Sequence, residues 1–137
     1  MTAPALSGVL EAALYVDDLD KAEAFYAGLL GLERILRVDG RHVFFRAGET
    51  VVLCFVASAT RQPPAKGALP VPPHGASGPG HLCFAAASLD RLRDHLTANH
   101  IAIEADFHWP HGPRSIYVRD PAGNSVEFAD PALWAKP

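Results

Sequence analysis

Residues 11–20 read EAALYVDDLD, and residues 81–90 read HLCFAAASLD. Glu11 and His81 each stand eight residues before a Leu-Asp pair, and the two stretches begin 70 positions apart. A mostly apolar run that stops at Asp or Ser predicts a buried strand followed by a capped helix. The chain is therefore predicted to contain two copies of one unit, with one cavity between them.

The same order of elements follows in both copies. Apolar residues at helical spacing from Leu19 to Leu30 predict a helix that begins after Asp18 and ends at Gly31. The second helix begins after Ser88 and runs to about Asn99. Each helix is followed by three predicted strands, at 33–38, 41–47 and 50–57 in the first copy and at 101–107, 114–119 and 125–129 in the second. Each copy is thus a β-α-β-β-β module, and the fold class is α+β.

A stretch rich in proline and glycine separates the two modules. Without a sustained apolar period it is predicted to be a loop. We predict one domain over residues 1–137, made of module one at 7–57, a linker at 58–79, module two at 80–130 and a tail at 131–137. Halves of about 60 residues are marginal alone, so they are expected to share a core. The tail is predicted to form a short helical cap, with Trp134 over the end of a sheet.

Composition excludes several classes of partner. No apolar run approaches the roughly 20 residues of a membrane span, and the start of the chain lacks a secretory signal pattern. We therefore expect a soluble, cytoplasmic protein. The net charge of −3, with scattered Lys and Arg, gives no footprint for nucleic acid, so the expected partner is a small molecule. Cys54 and Cys83 lie in apolar runs and are expected to be small buried residues.

Three ionisable residues occupy related strand positions. Because alternate strand residues share a face, Glu11 and His81 would face one another across the cavity and Glu127 would join them from the last strand. One imidazole and two carboxylates suit a divalent cation such as Mn, Mg, Fe, Ni or Zn that keeps positions open for a substrate. The alternatives are a solvent-facing or paired Glu11, a backbone-bonded His81 and an outward-facing Glu127.

Polar side chains also alternate along the strand at 114–119. Ser115, Tyr117 and Arg119 share one face and could bind an oxyanion beside the metal. The alternative for Arg119 is a surface ion pair with Asp120 or Asp130. Loops at 108–113 and around His74 are candidates to close over the site.

The chain resembles the vicinal oxygen chelate superfamily of glyoxalases, bleomycin-resistance proteins and extradiol dioxygenases. The resemblance is carried by residues 15–26 with 30–32, by 80–84 and by 114–127. It implies two modules whose curled mixed sheets form a cup around a metal. Its usual ligand positions fall on Glu11, Val52, His81 and Glu127; because Val52 cannot bind a metal, the remaining set is nearest to that of the fosfomycin-resistance enzymes.

The resemblance also implies a function. We expect a metal-dependent lyase or transferase in which the metal, held by Glu11, His81 and Glu127, acts as a Lewis acid on a small oxygen-bearing substrate. Tyr117 and Glu127 are the candidate catalytic residues, and Ser115, Tyr117 and Arg119 the candidate substrate contacts. The alternative is a metal-free protein that sequesters a small molecule, as bleomycin-resistance proteins do. A homodimer with cavities completed across the interface is also implied.

Overall fold

The computed structural model describes residues 2–137, so Met1, which the predicted domain includes, lies outside the described residues. Eight strands and a few short helices account for its regular structure. In chain order they are β1 (Glu11–Tyr15), α1 (Leu19–Glu23) continued by a π-helical segment (Ala24–Leu29), β2 (Glu33–Val38), β3 (His42–Ala47), β4 (Thr50–Phe55), α2 (Ala57–Thr60), β5 (His81–Ala85), α3 (Leu89–Ala98), β6 (Ala105–His108), β7 (Arg114–Arg119), β8 (Ser125–Ala129) and a 3₁₀ helix (Pro131–Trp134).

The strands form two separate four-stranded mixed sheets with the same topology. Their orders are β1-β4-β3-β2 and β5-β8-β7-β6. In each sheet the first strand runs parallel to the last one of its module, and the other pairs are antiparallel. The predicted α+β class with two β-α-β-β-β modules is confirmed. Within the described chain, β1 and β5 are edge strands that pair on one side only.

Both predicted helix caps are present. The Asp18 side chain accepts a hydrogen bond from the backbone N–H of Lys21, and the Ser88 hydroxyl accepts one from Arg91. The first helix differs from the prediction of one continuous α-helix to Leu30, because its second half has π geometry and the N–H of Leu30 bonds to the carbonyl of Phe25. This wider turn accompanies the burial of two neighbouring aromatic residues, Phe25 and Tyr26.

Alternation along the strands decides which residues enter the core. In β8, Val126 and Phe128 point to the face that α3 covers, while Glu127 points to the opposite face. Module one is built the same way. Buried residues of both modules form one continuous apolar cluster, which includes Leu14, Tyr26, Val43, Phe45, Val52, Cys54, Leu96, Ile116, Val118, Val126 and Phe128.

A buried amide joins the modules where β5 begins. The Asn124 side chain donates to the carbonyl of Tyr15 at 2.9 Å and accepts from the N–H of Gly80 at 2.7 Å. Position 80 leaves little room, since a Cβ there would stand 3.1 Å from the Leu14 side chain. The Tyr26 hydroxyl donates to Asp120 at 2.8 Å, a second buried bond between the modules. These contacts fix the residue that precedes His81.

Several expectations need correction. The sixth strand starts at Ala105 rather than at 101, because a turn with positive φ at His100 directs the following residues, including Ile101 and Ile103, against the core instead of into a strand. The predicted linker begins with the helical turn α2. Trp134 is 86% exposed and covers no sheet within the described residues. Cys83 is exposed, because in β5 it alternates with the inward-facing Leu82 and Phe84.

Among residues 2–137, no helix has the length and apolar character needed to cross a membrane.

Candidate functional site

The polar residues of module two collect on the sheet face opposite α3. We call this surface the module-two face and define it by His81 and Cys83 of β5, Ser115 and Tyr117 of β7, and Glu127 of β8. In the register of the sheet, Glu127 lies directly beside both Cys83 and Tyr117. Side chains of neighbouring strands in register are in contact distance, so Glu127 stands at the centre of the face.

His81 and Glu127 approach each other closely. The Nε2 atom of His81 lies 3.2 Å from Oε1 of Glu127, and the two side chains are 51% and 6% exposed. The other ring nitrogen, Nδ1, lies 3.2 Å from the carbonyl oxygen of Ser125. The Ser125 hydroxyl oxygen also lies 3.2 Å from Nδ1. In the tautomer that donates from Nδ1 to the carbonyl, Nε2 carries a lone pair. Two lone pairs then face each other, and a cation between them, a proton or a metal ion, stabilises the arrangement.

The distances fit a metal ion. Nitrogen and carboxylate oxygen ligands lie about 2.0–2.2 Å from ions such as zinc, so two adjacent ligand atoms stand about 3 Å apart. The 3.2 Å between His81 and Glu127 matches that separation. The contact of Nδ1 with the Ser125 carbonyl is the outer hydrogen bond that metal-ligating histidines usually make.

The other oxygen of Glu127 is already engaged. The Ser115 hydroxyl donates to Oε2 at 2.6 Å, and the indole Nε1 of Trp109 donates to the Ser115 oxygen at 2.8 Å. Ser115 is fully buried and Glu127 is 5% exposed. The buried carboxylate therefore accepts a hydrogen bond on Oε2, and a cation between Oε1 and His81 would offset the cost of burying its charge.

Tyr117 lies between His81 and Phe107 on the module-two face. Its ring centre is 6.1 Å from that of His81 and 5.8 Å from that of Phe107, and the three rings are nearly parallel. Burial, together with the nearby charge of Glu127, raises the pKa of Tyr117 to about 12. The phenol is therefore protonated at neutral pH and can donate a hydrogen bond.

Two predicted site residues lie elsewhere. Glu11 is exposed on β1 of the other sheet and, within residues 2–137, makes no side-chain hydrogen bond or ion pair. Arg119 forms a two-bond ion pair with Glu104 at 2.6 and 2.9 Å, in place of the pairs considered from sequence. In the described part of the chain, no three His, Cys, Asp or Glu side chains are grouped to hold a metal. Of the predicted site residues, a single chain therefore brings together four, which are His81, Glu127, Ser115 and Tyr117.

The strand register corrects one sequence alignment. Glu11 pairs with Val51 as His81 pairs with Ser125, so the position equivalent to Glu127 is Leu53 and not Val52. Val52 is buried on the helix side of its sheet. Module one still offers no fourth ligand at this position, because leucine cannot bind a metal.

Sequence reasoning missed two residues of the site. Trp109 stands in a loop that the sequence analysis gives only as a possible cover, and no sequence pattern signals its indole hydrogen bond to Ser115. Cys83 was expected in the core, but two-residue alternation from His81 already places it on the same face. Although Cys83 is exposed, desolvation by neighbouring groups and the charge of Glu127 raise the pKa of its thiol to about 12, so the thiol is protonated at neutral pH.

Comparison with known proteins supports the fold and a family. Residues 8–128 match the model of the Glyoxalase/Bleomycin resistance protein/Dioxygenase superfamily. A crystal structure of lactoylglutathione lyase from Agrobacterium tumefaciens is 43% identical, with a TM-score of 0.90 over 96% of this chain and 98% of that one. The search of curated proteins gave no match.

More distant structures share the fold alone. A superfamily member from Sphaerobacter thermophilus is 22% identical, with a TM-score of 0.67 over 91% of this chain and 98% of its own. An integron cassette protein from V. cholerae is 21% identical, with a TM-score of 0.72 over 95% and 99% of the two chains.

Proposed function

The chain belongs to the glyoxalase/bleomycin resistance protein/dioxygenase superfamily, and from that premise we propose that it is a metal-dependent lyase or isomerase. Its substrate would be a small molecule with two neighbouring oxygen atoms. The observation that carries the proposal is the His81–Glu127 pair, whose Nε2 and Oε1 atoms are 3.2 Å apart on an accessible face. The 43% identity to a lactoylglutathione lyase favours lyase chemistry.

His81 and Glu127 would hold the metal, with Nε2 and Oε1 as ligand atoms. A divalent ion bound there would act as a Lewis acid that stabilises negative charge developing on the substrate. Two ligands from one chain leave further positions for the substrate and for a third protein ligand. The mixed nitrogen and oxygen donor set is compatible with Mn, Ni, Zn, Fe or Mg.

The remaining residues of the module-two face would orient the substrate. Tyr117, whose raised pKa keeps its phenol protonated, would donate a hydrogen bond to a substrate oxygen that becomes negative. Ser115 donates to Glu127 and so holds the carboxylate in place. Phe107, 38% exposed beside Tyr117, supplies an apolar edge for the body of a small substrate.

The third ligand would come from a second copy of the chain. Glu11 is exposed at the start of an edge strand, and the residues before it include exposed apolar side chains: Val9 is 73% and Leu10 78% exposed. Burial of such a surface favours association. We therefore include in the proposal a homodimer in which Glu11 of the partner completes the site of His81 and Glu127.

The test is metal content and uptake. Untagged protein purified without chelator would be analysed by mass spectrometry and then titrated with Mn²⁺, Ni²⁺, Zn²⁺ and Fe²⁺. We expect one ion per chain, with affinity reduced at least about tenfold in His81→Ala and Glu127→Gln. Glu33→Gln, an exposed carboxylate on β2, is the matched control and should bind like wild type.

Metal-loaded protein would then be assayed for the lyase reaction in both directions, the cleavage of lactoylglutathione to glutathione and a 2-oxoaldehyde and its formation from them. Loss of turnover in the two ligand variants, with activity in Glu33→Gln, would support the proposal. A wild-type protein that takes up none of the four metals would contradict it. Binding of small molecules by that metal-free protein would then favour sequestration.

A further inference from the structure

Trp109 is held firmly at the start of the loop between β6 and β7. Its backbone N–H bonds to the carbonyl of Pro113 at 2.8 Å, and its own carbonyl accepts from the N–H of Gly112 at 2.9 Å. The indole ring packs edge-on against Phe107, with ring centres 4.9 Å apart. These three contacts fix the direction in which the indole N–H points.

The direction of the hydrogen bonds from Trp109 to Glu127 is determined. An indole N–H can only donate, so the Ser115 oxygen accepts from it at 2.8 Å. The Ser115 hydroxyl has one proton, and its other close partner is the acceptor Oε2 of Glu127 at 2.6 Å. Because Ser115 is fully buried, water cannot replace Glu127 as the acceptor of its hydroxyl proton. The indole N–H of Trp109 thus orients the Ser115 hydroxyl, and this hydroxyl donates its hydrogen bond to Oε2 of Glu127.

We propose that Trp109 is a positioning residue that acts through Ser115 to make Glu127 a one-oxygen metal ligand. This inference rests on the proposed metal site. With Oε2 bound to Ser115, only Oε1 is directed toward His81, at 3.2 Å from its Nε2. A carboxylate that binds through one oxygen leaves a metal position free for the substrate, whereas binding through both oxygens would fill it.

Removing the indole donor releases this constraint. In Trp109→Phe the ring that packs on Phe107 is kept, but the Ser115 hydroxyl loses the donor that orients it. In Ser115→Ala the bond to Glu127 itself is lost. In both variants the carboxylate is free to turn and offer two oxygens to one ion. Trp134→Phe is the matched control, because Trp134 is the other tryptophan of the chain and is 86% exposed.

The first experiment needs no metal. A nitrogen-15 NMR spectrum of wild-type protein contains two indole N–H signals, which Trp109→Phe and Trp134→Phe assign. In Ser115→Ala we expect the Trp109 signal to move upfield and to exchange faster with solvent, while the Trp134 signal stays in place. An unchanged Trp109 signal would overturn the proposed link. Because Ser115→Ala keeps Trp109, this measurement also stands if Trp109→Phe does not fold.

The second experiment uses Co²⁺, whose visible absorption weakens as its coordination number rises. We expect weaker bands in Trp109→Phe and Ser115→Ala than in wild type, no further loss in the double variant, and wild-type bands in Trp134→Phe. The positioning role would be overturned if the Co²⁺ absorption of Trp109→Phe equalled that of wild type. It would also be overturned if the double variant lost as much absorption as the two single variants together. If wild-type protein binds no Co²⁺ or other metal, the proposed function fails and the metal role of Trp109 with it, whereas the NMR result still decides whether the hydrogen-bond chain exists.

Discussion

The imidazole of His81 stands with one nitrogen 3.2 Å from the carboxylate of Glu127 and with the other 3.2 Å from the Ser125 carbonyl. Both partners accept hydrogen bonds, and a neutral imidazole has only one N–H to donate. With that proton on Nδ1, the carboxylate faces a ring nitrogen without a proton. A cation between Nε2 of His81 and Oε1 of Glu127 would stabilise this arrangement.

Mixing two inactive variants should restore metal sites. Glu11→Ala lacks the ligand given to the partner, and His81→Ala lacks one kept in its own module, so each homodimer has no complete site. In a mixed dimer, one site combines intact Glu11 from one chain with intact His81 and Glu127 from the other. An equimolar mixture, unfolded and refolded together, should regain about a quarter of the wild-type metal content by statistics. Metal content that stays at the level of the separate variants would contradict a shared site.

Tyr117→Phe should reduce turnover without weakening metal binding. Removal of the phenol deletes a proton donor near the substrate, and such groups contribute about 10²-fold or more to rate. We expect kcat to fall by about that factor, with metal affinity unchanged. A kcat in Tyr117→Phe equal to that of wild type, at equal metal content, would contradict the role of the phenol as a donor.

Acid should destabilise the protein in part through Asp106. Arg114 donates to both of its oxygens at 2.8 Å and Arg93 bonds to it as well, and these hydrogen bonds lower the pKa of Asp106 to about 2. The carboxylate therefore contributes stability above its unfolded pKa of about 4, and this contribution is lost as pH falls toward 2.

Urea unfolding of Asp106→Asn measures this contribution. We expect a loss of about 1–3 kcal/mol at pH 7, which shrinks between pH 4 and pH 2 as the wild-type carboxylate is protonated. Asp94→Asn, an exposed position on the same module, is the control and should unfold like wild type at every pH. An Asp106→Asn penalty that is equal at pH 7 and pH 2 would contradict the assignment.

Asn124→Asp should destabilise the junction of the modules. The amide donates to the Tyr15 carbonyl and to Asp120, and a carboxylate in its place would face both acceptors while 2% exposed. We expect a loss of about 2–5 kcal/mol in urea unfolding at pH 7. Asn99→Asp, at the exposed end of α3, should cost less than about 1 kcal/mol. Equal penalties at the two positions would show that Asn124 does not join the modules.

Local patterns predicted most of the fold. The bounds of β2, β7 and β8 agree with the sequence prediction, because the alternation of side chains along a strand depends on neighbouring residues. The caps at Asp18 and Ser88 are equally local. The π-helical segment was not predicted, since a wider helical turn is stabilised by the packing of Phe25 and Tyr26 and has no pattern of its own.

Only the part of the candidate site that depends on the alternation of side chains along strands was predictable from the sequence. The two-residue period placed His81 and Glu127 on one face, together with Ser115 and Tyr117, and these four residues do lie together. The metal ligand set that includes Glu11 stays a prediction. The bond of Trp109 to Ser115 depends on the closed shape of a loop, which has no periodic sequence signal.

The sequence by itself determined two α+β modules and the residues that each strand turns toward or away from its helix, because both follow from contacts between near neighbours in the chain. Only the tertiary structure decided how the modules meet. Their junction depends on bonds such as Tyr26 to Asp120 and Asn124 to Tyr15, which join residues 94 and 109 positions apart. Such bonds form only when two distant buried groups find complementary partners, and no local pattern encodes that match. The junction leaves Glu11 on one exposed surface and His81 with Glu127 on another.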